Sequence, residues 1–114
     1  MKKFTKIFSV AITLGILLQS NVYASTDRYS SDGQSFDDDW EESYDCDAYT
    51  IEYGYNTSWI NEDYTHTKGY LGSHNAIVSN NSGSYSDSAK KNKWAEIEVK
   101  HSGSYVQYGV KYWY

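Results

Sequence analysis

From residue 49 onward the chain repeats with a period of two, and that alternation admits very few folds. Tyr49, Ile51, Tyr53 and Tyr55 alternate with Thr50, Glu52 and Gly54. Successive side chains of a strand point to opposite faces, so such a run reads as a strand with one buried face. His74, Ala76 and Val78 alternate with Asn75, Ile77 and Ser79, and Asn80-Asn81-Ser82-Gly83 supplies a turn. Ala95, Ile97 and Val99 oppose Trp94, Glu96, Glu98 and Lys100. Val106, Tyr108, Val110, Tyr112 and Tyr114 oppose Tyr105, Gln107, Gly109, Lys111 and Trp113. With little more than Ser102-Gly103-Ser104 between them, these last two runs predict a β-hairpin. Residues 61–73 are less regular, with Tyr64-Thr65-His66 as a short strand, and residues 84–88 form another. About five or six short strands at this spacing predict an all-β fold, either a small antiparallel β-sandwich or a small open barrel.

The residues before this domain divide in two. Lys2, Lys3 and Lys6 precede an apolar run over residues 7–18, and Val22-Tyr23-Ala24 follows. That is the pattern of a secretory signal peptide over residues 1–24, and the run is shorter than a bilayer span of about 20 residues. The predicted location is therefore extracellular. Residues 25–52 hold ten acids against the single base Arg28, with Asp37-Asp38-Asp39-Trp40-Glu41-Glu42 the densest part. Few aliphatic residues occur there, and such composition predicts a disordered acidic arm over residues 25–48. No calcium loop is read in it, because the turn glycine and ligand spacing are missing. Cys46, the only cysteine, has no internal partner and sits between Asp45 and Asp47, which disfavour its thiolate. A domain over residues 49–114 must then hold itself together without a disulfide.

Aromatic content is the anomaly. Residues 49–114 contain ten tyrosines and three tryptophans, more than a core of this size takes up, so several rings are expected outside. Exposed Tyr and Trp offer rigid amphipathic area for sugars, head groups or peptides. The three histidines His66, His74 and His101 have no recognised metal-ligand spacing, and no metal or cofactor is expected. No nucleophile elbow accompanies the serines, and Glu62-Asp63 and Glu96-x-Glu98 read as exposed polar alternation, so the chain is not read as an enzyme. Residues 1–24 aside, fifteen acids face seven bases, a net −8, which disfavours nucleic acid.

The order of motifs resembles the lactococcin-972-like bacteriocin family. Thr50-Ile51-Glu52-Tyr53-Gly54-Tyr55 looks like its opening strand, with Ile51 where a Trp is common. Tyr64 and His66 fit a Ser-x-Tyr-x-His element in which Glu62 replaces the Ser. His74-Asn75-Ala76-Ile77-Val78, Trp94-Ala95 and the terminal Tyr112-Trp113-Tyr114 are similar to its later elements. The resemblance implies a β-sandwich of two small sheets and a secreted, non-enzymatic antibacterial protein acting on related Gram-positive bacteria. It implies binding of the lipid-linked peptidoglycan precursor of the target cell and a block of septal wall synthesis. A cognate membrane immunity protein and an exporter are the implied partners of the producer. Tyr53, Tyr55, Tyr64, His66, His74, Trp94 and Trp113 are the candidate binding residues. The acidic arm departs from the family pattern. A non-toxic adhesion or carbohydrate-binding β-module is the rival reading, and a small hydrolase using the histidines a third.

Overall fold

The computed structural model describes residues 23–114. The secretory leader expected over residues 1–24 lies outside the described residues except for its last two. Eight strands follow in order: β1 (Ala24–Ser30), β2 (Trp40–Asp45), β3 (Tyr49–Asn56), β4 (Glu62–Gly69), β5 (His74–Asn80), β6 (Gly83–Ala89), β7 (Trp94–Lys100) and β8 (Gln107–Trp113). They form two antiparallel four-stranded sheets, β1-β8-β5-β6 and β2-β3-β4-β7. The fold is thus an all-β pair of packed sheets. Hairpins β2-β3, β3-β4 and β5-β6 stay within a sheet, whereas the other connections cross between sheets.

Alternation sorts the side chains as the sequence predicts. Tyr49, Ile51 and Tyr55 of β3, Ala76 and Val78 of β5, Ala95 and Ile97 of β7, and Tyr108 and Val110 of β8 are all buried between the sheets. Rings fill the gap at the centre. Tyr53 stacks on Tyr29 at 5.2 Å and lies 4.9 Å from Tyr108, while Trp40 meets Tyr108 edge-on at 5.7 Å. Such pairs contribute about 0.5–1.5 kcal/mol each beyond their burial.

Three expectations are corrected. Residues 25–48 are not a disordered arm: they supply β1 to one sheet and β2 to the other. Composition misleads there because burial is carried by few but large rings. Tyr29, Phe36 and Trp40 pack against the core, and Tyr49 donates a 2.6 Å hydrogen bond to Asp27 while accepting one from Tyr29. Nor do the last two runs form a hairpin. β7 pairs with β4, and β8 lies between β1 and β5 in the opposite sheet. Period two tells which side of a strand is buried, not which strand lies beside it, and both runs face the same core from opposite sides.

The third correction concerns residues 61–73. The short strand around Tyr64 is a full eight-residue β4 whose inward residues are Asp63, Thr65 and Thr67, all at 0% exposure. Their polarity hides the strand from any hydrophobic pattern. Each has a partner on β5 of the other sheet, and Asp63 has a second, His101, just past β7 in its own sheet. Thr65 donates to the Ile77 carbonyl at 2.8 Å, Thr67 bonds His74 at 2.8 Å, and Asp63 accepts from His101 at 2.8 Å and from Asn80 at 3.0 Å. Gly54 permits the neighbouring edge, since a Cβ there would come within 2.1 Å of the Trp40 carbonyl oxygen.

Two stability outcomes follow from this packing. Asp63→Ala strands the His101 and Asn80 donors and is expected to lower unfolding free energy by about 3 kcal/mol in urea titrations. Tyr108→Phe behaves oppositely, because the Tyr108 hydroxyl is buried without a hydrogen-bond partner among the described residues. Its removal is expected to leave stability unchanged or raise it by about 1 kcal/mol, and a loss of that size would show that the hydroxyl is satisfied.

Candidate functional site

The seven candidate binding residues do not converge on one surface. Tyr53 and Tyr55 point into the core, where burial and nearby carboxylates raise the pKa of both phenols: Glu42 beside Tyr53, and Asp63, Asp39 and Asp37 near Tyr55. His74 is also interior, at 0% exposure. Its Nε2–H donates to the Lys93 carbonyl at 2.8 Å, so Nδ1 accepts from the Thr67 hydroxyl. The neutral ring satisfies both bonds. Burial lowers its pKa, outweighing the opposite pull of the Lys93 and Lys90 carbonyls and of Asp87.

Tyr64, His66 and Trp94 share the outer face of the β2-β3-β4-β7 sheet. The Tyr64 hydroxyl reaches across Gly54 to donate to Glu41 at 2.7 Å, and burial followed by that bond raises its pKa. His66 lies 5.1 Å from the Tyr64 ring and donates to Glu98 at 3.1 Å. Glu41, Glu52, Glu62, Glu96 and Glu98 all occupy this face, and burial together with Glu98 raises the Glu62 pKa. This is an acidic surface with its tyrosine and histidine already engaged. Trp94 stands at its far end, beside Lys68.

Trp113 belongs to the opposite surface, the outer face of β1-β8-β5-β6. Register places Thr26, Arg28 and Ser30 of β1 there, with Gln107, Gly109, Lys111 and Trp113 of β8, Asn75, Ile77 and Ser79 of β5, and Ser84, Ser86 and Ser88 of β6. None of these strand positions is a carboxylate. Lys111 Nζ lies 5.1 Å from the Trp113 ring centroid. Arg28 pairs with Gly109 and Thr26 with Lys111, so the two cations are diagonal neighbours about a position without a side chain. Where β8 begins, this face runs into an open cleft of about 370 Å³ lined by Ser79, Asn81, Gly103, Ser104, Tyr105 and Gln107, with Asn80 at its base.

The exposed rings do not form a single patch. Trp59, 88% exposed in the β3–β4 turn, and Tyr105, 50% exposed, lie at the cleft end; Trp94 and Tyr114 are at the other. His66, His74 and His101 occupy three separate environments, and no cluster of three or more metal-ligating side chains occurs among the described residues. Cys46 is a half-buried free thiol in the β2–β3 turn. Sequence reasoning passed over Arg28, Gln107, Lys111 and Tyr105. Their signal was present: Arg28 is the one base among ten acids, and the other three share the outward parity of the last run.

No protein-family model matches the chain, and no curated protein and no solved structure matches it either.

The interior setting of His74 has a pH consequence. An unfolded chain protonates it near the ordinary imidazole value of about 6.5. The folded pKa is lower, so stability from this group is complete above that pH and is lost as pH falls below it. In NMR titrations the His74 ring is expected to titrate below a free imidazole; titration at or above that value would contradict its burial.

Proposed function

We propose that the chain is a secreted antibacterial protein that binds the lipid-linked peptidoglycan precursor on the outer surface of Gram-positive target cells and blocks wall synthesis without catalysis. The observation that carries this reading is the outer face of β1-β8-β5-β6, where Arg28 and Lys111 flank Gly109 and no strand position is acidic. A phosphate group between Arg28 and Lys111, beside the Ile77 side chain that covers Gly109, meets a guanidinium able to donate two parallel hydrogen bonds and an ammonium beside it. Trp113, next along the same strand face, offers an amphipathic ring of the kind that lies at a membrane interface.

The acidic total does not oppose this. The glutamates gather on the other sheet, whose backbone lies about 10 Å away across the core. The charged side chains that the strands of the first face present to an approaching anion are Arg28 and Lys111. The resemblance in motif order supplies the antibacterial part of the reading. A non-toxic carbohydrate-binding module is the second reading, favoured by the polar cleft around Tyr105.

Purified protein spotted on lawns of Gram-positive indicator strains is expected to leave a clear zone, and vesicles carrying the purified lipid-linked precursor are expected to retain the protein. An Arg28→Gln, Lys111→Gln double variant is expected to lose about tenfold or more in both assays, since each lost charge-assisted bond is worth about one decade of affinity. Absence of a zone together with no retention would overturn the proposal; retention of sugars without a zone would favour the second reading.

A further inference from the structure

The cleft at the start of β8 adjoins the cationic strip but differs from it in chemistry. None of its lining side chains is charged. Tyr105 presents a half-exposed ring, and its hydroxyl accepts from Gln107 Nε2 at 3.3 Å. Around it stand the carboxamides of Asn81 and Gln107 and the hydroxyls of Ser79 and Ser104. An aromatic plate ringed by amides and hydroxyls suits a neutral ring sugar, whose C–H face stacks on the plate while its hydroxyls both donate and accept.

The walls of the cleft are held rather than loose. Asn80 donates to Asp63 and to the Lys100 carbonyl, both at 3.0 Å, and its own carbonyl accepts from the Ser82 amide at 2.8 Å. The Asn81 amide donates to the Ser102 carbonyl at 3.2 Å, joining the two loops. Gly103, at φ +88°, allows that approach, because a Cβ would come within 2.8 Å of Asn81 Cβ. Beneath Tyr105, Val106 donates to Ser31 Oγ and accepts from the Ser31 amide, each at 3.0 Å.

We infer that this cleft is a binding subsite for an uncharged pyranose, with Tyr105 as the stacking platform and Asn81, Ser104 and Gln107 as the hydroxyl-reading groups. It deepens the reading above and rests on it for its setting. Gln107 is two residues from Gly109, the position opposite Arg28, about 7 Å along the strand, so a sugar in the cleft and a phosphate held by Arg28 and Lys111 can belong to one sugar-phosphate ligand.

The test uses direct binding rather than killing. Amide resonances of the full secreted chain are followed while neutral oligosaccharides (chitotetraose, cellotetraose, maltotetraose and mannotetraose) are added, and inorganic pyrophosphate is titrated separately. At least one sugar is expected to shift residues 79–81 and 103–107, whereas pyrophosphate shifts the surroundings of Gly109. Tyr105→Ala is expected to weaken sugar binding about tenfold or more and Tyr105→Phe to preserve it, both with unchanged circular dichroism. Arg28→Gln is expected to remove the pyrophosphate response alone. If no sugar shifts the cleft, or the shifts fall elsewhere, the subsite is overturned whatever the lawn assay gives. Sugar binding in a protein that leaves no clear zone would sink the antibacterial reading and keep the subsite.

Discussion

The sheets are joined through the polar inner side of β4. In most sandwiches the facing residues are apolar and the sheets adhere without direction. Here Asp63, Thr65 and Thr67 stand in the interior of a central strand and reach across to Asn80, the Ile77 carbonyl and His74, while His101, just past β7, steadies Asp63 from within its own sheet. Hydrogen bonds have direction where apolar contact has none, so this row sets the alignment of one sheet on the other. It also has a cost: each donor and acceptor left without its partner in any other arrangement forfeits about 1–3 kcal/mol. A disfavoured alternative is a form of specificity, and it serves a small domain whose one cysteine makes no cross-link among the described residues.

Around that row, tyrosine does the work that leucine does elsewhere. Tyr108, Tyr53, Tyr29, Tyr44, Tyr49 and Tyr112 form a connected series of ring contacts, with Trp40 and Phe36 at one end. Each ring covers enough area that a segment as poor in aliphatics as residues 24–45 can still fold. Their hydroxyls need partners, and Asp27 provides one for Tyr49 that holds the phenol as a donor; burial first, and then that bond, raise its pKa sharply. An acid of the supposed arm is thus an interior hydrogen-bond acceptor.

How much of this was legible follows from what a periodic pattern contains. The two sides of β3, β5, β7 and β8 could be read residue by residue, because their buried sides are mainly apolar or aromatic and their outward sides mainly polar, with Ile77, Trp94 and Trp113 outward and His74 inward as the exceptions. β4 could not, since its buried side is polar and its outward Tyr64 is nearly buried too, under Glu41 and His66. The pairing of β7 with β4 was illegible for another reason: partner choice depends on the crossing at residues 101–106, and two strands that face one core from opposite sheets carry the same alternation. The candidate site suffered from weighting. Aromatic residues were picked for their type, which selected Tyr53, Tyr55 and His74 from the core. Selecting by outward parity instead reaches Gln107, Lys111 and Trp113 together, and Arg28 by its isolated charge.

Surface chemistry and core are coupled through β8. Its inward Tyr108 and Val110 are fully buried, and its backbone is bonded on both sides, to β1 and to β5. The outward positions of the same strand are Gln107, Gly109 beneath the Ile77 side chain, Lys111 and Trp113. A group on a doubly paired strand cannot shift without breaking ladder bonds, so the spacing from Gln107 to Lys111 is set before any ligand arrives. That matters most for a long side chain such as Lys111, whose rotamer freedom is costly to lose on binding. Its contact with Trp113 already restricts it. Placing Arg28 and Lys111 on the most constrained strand and its edge neighbour, with Glu41, Glu52, Glu62, Glu96 and Glu98 on the outer face of the other sheet, lets a chain with a large negative total present a small, stiff face whose strand positions carry no acid.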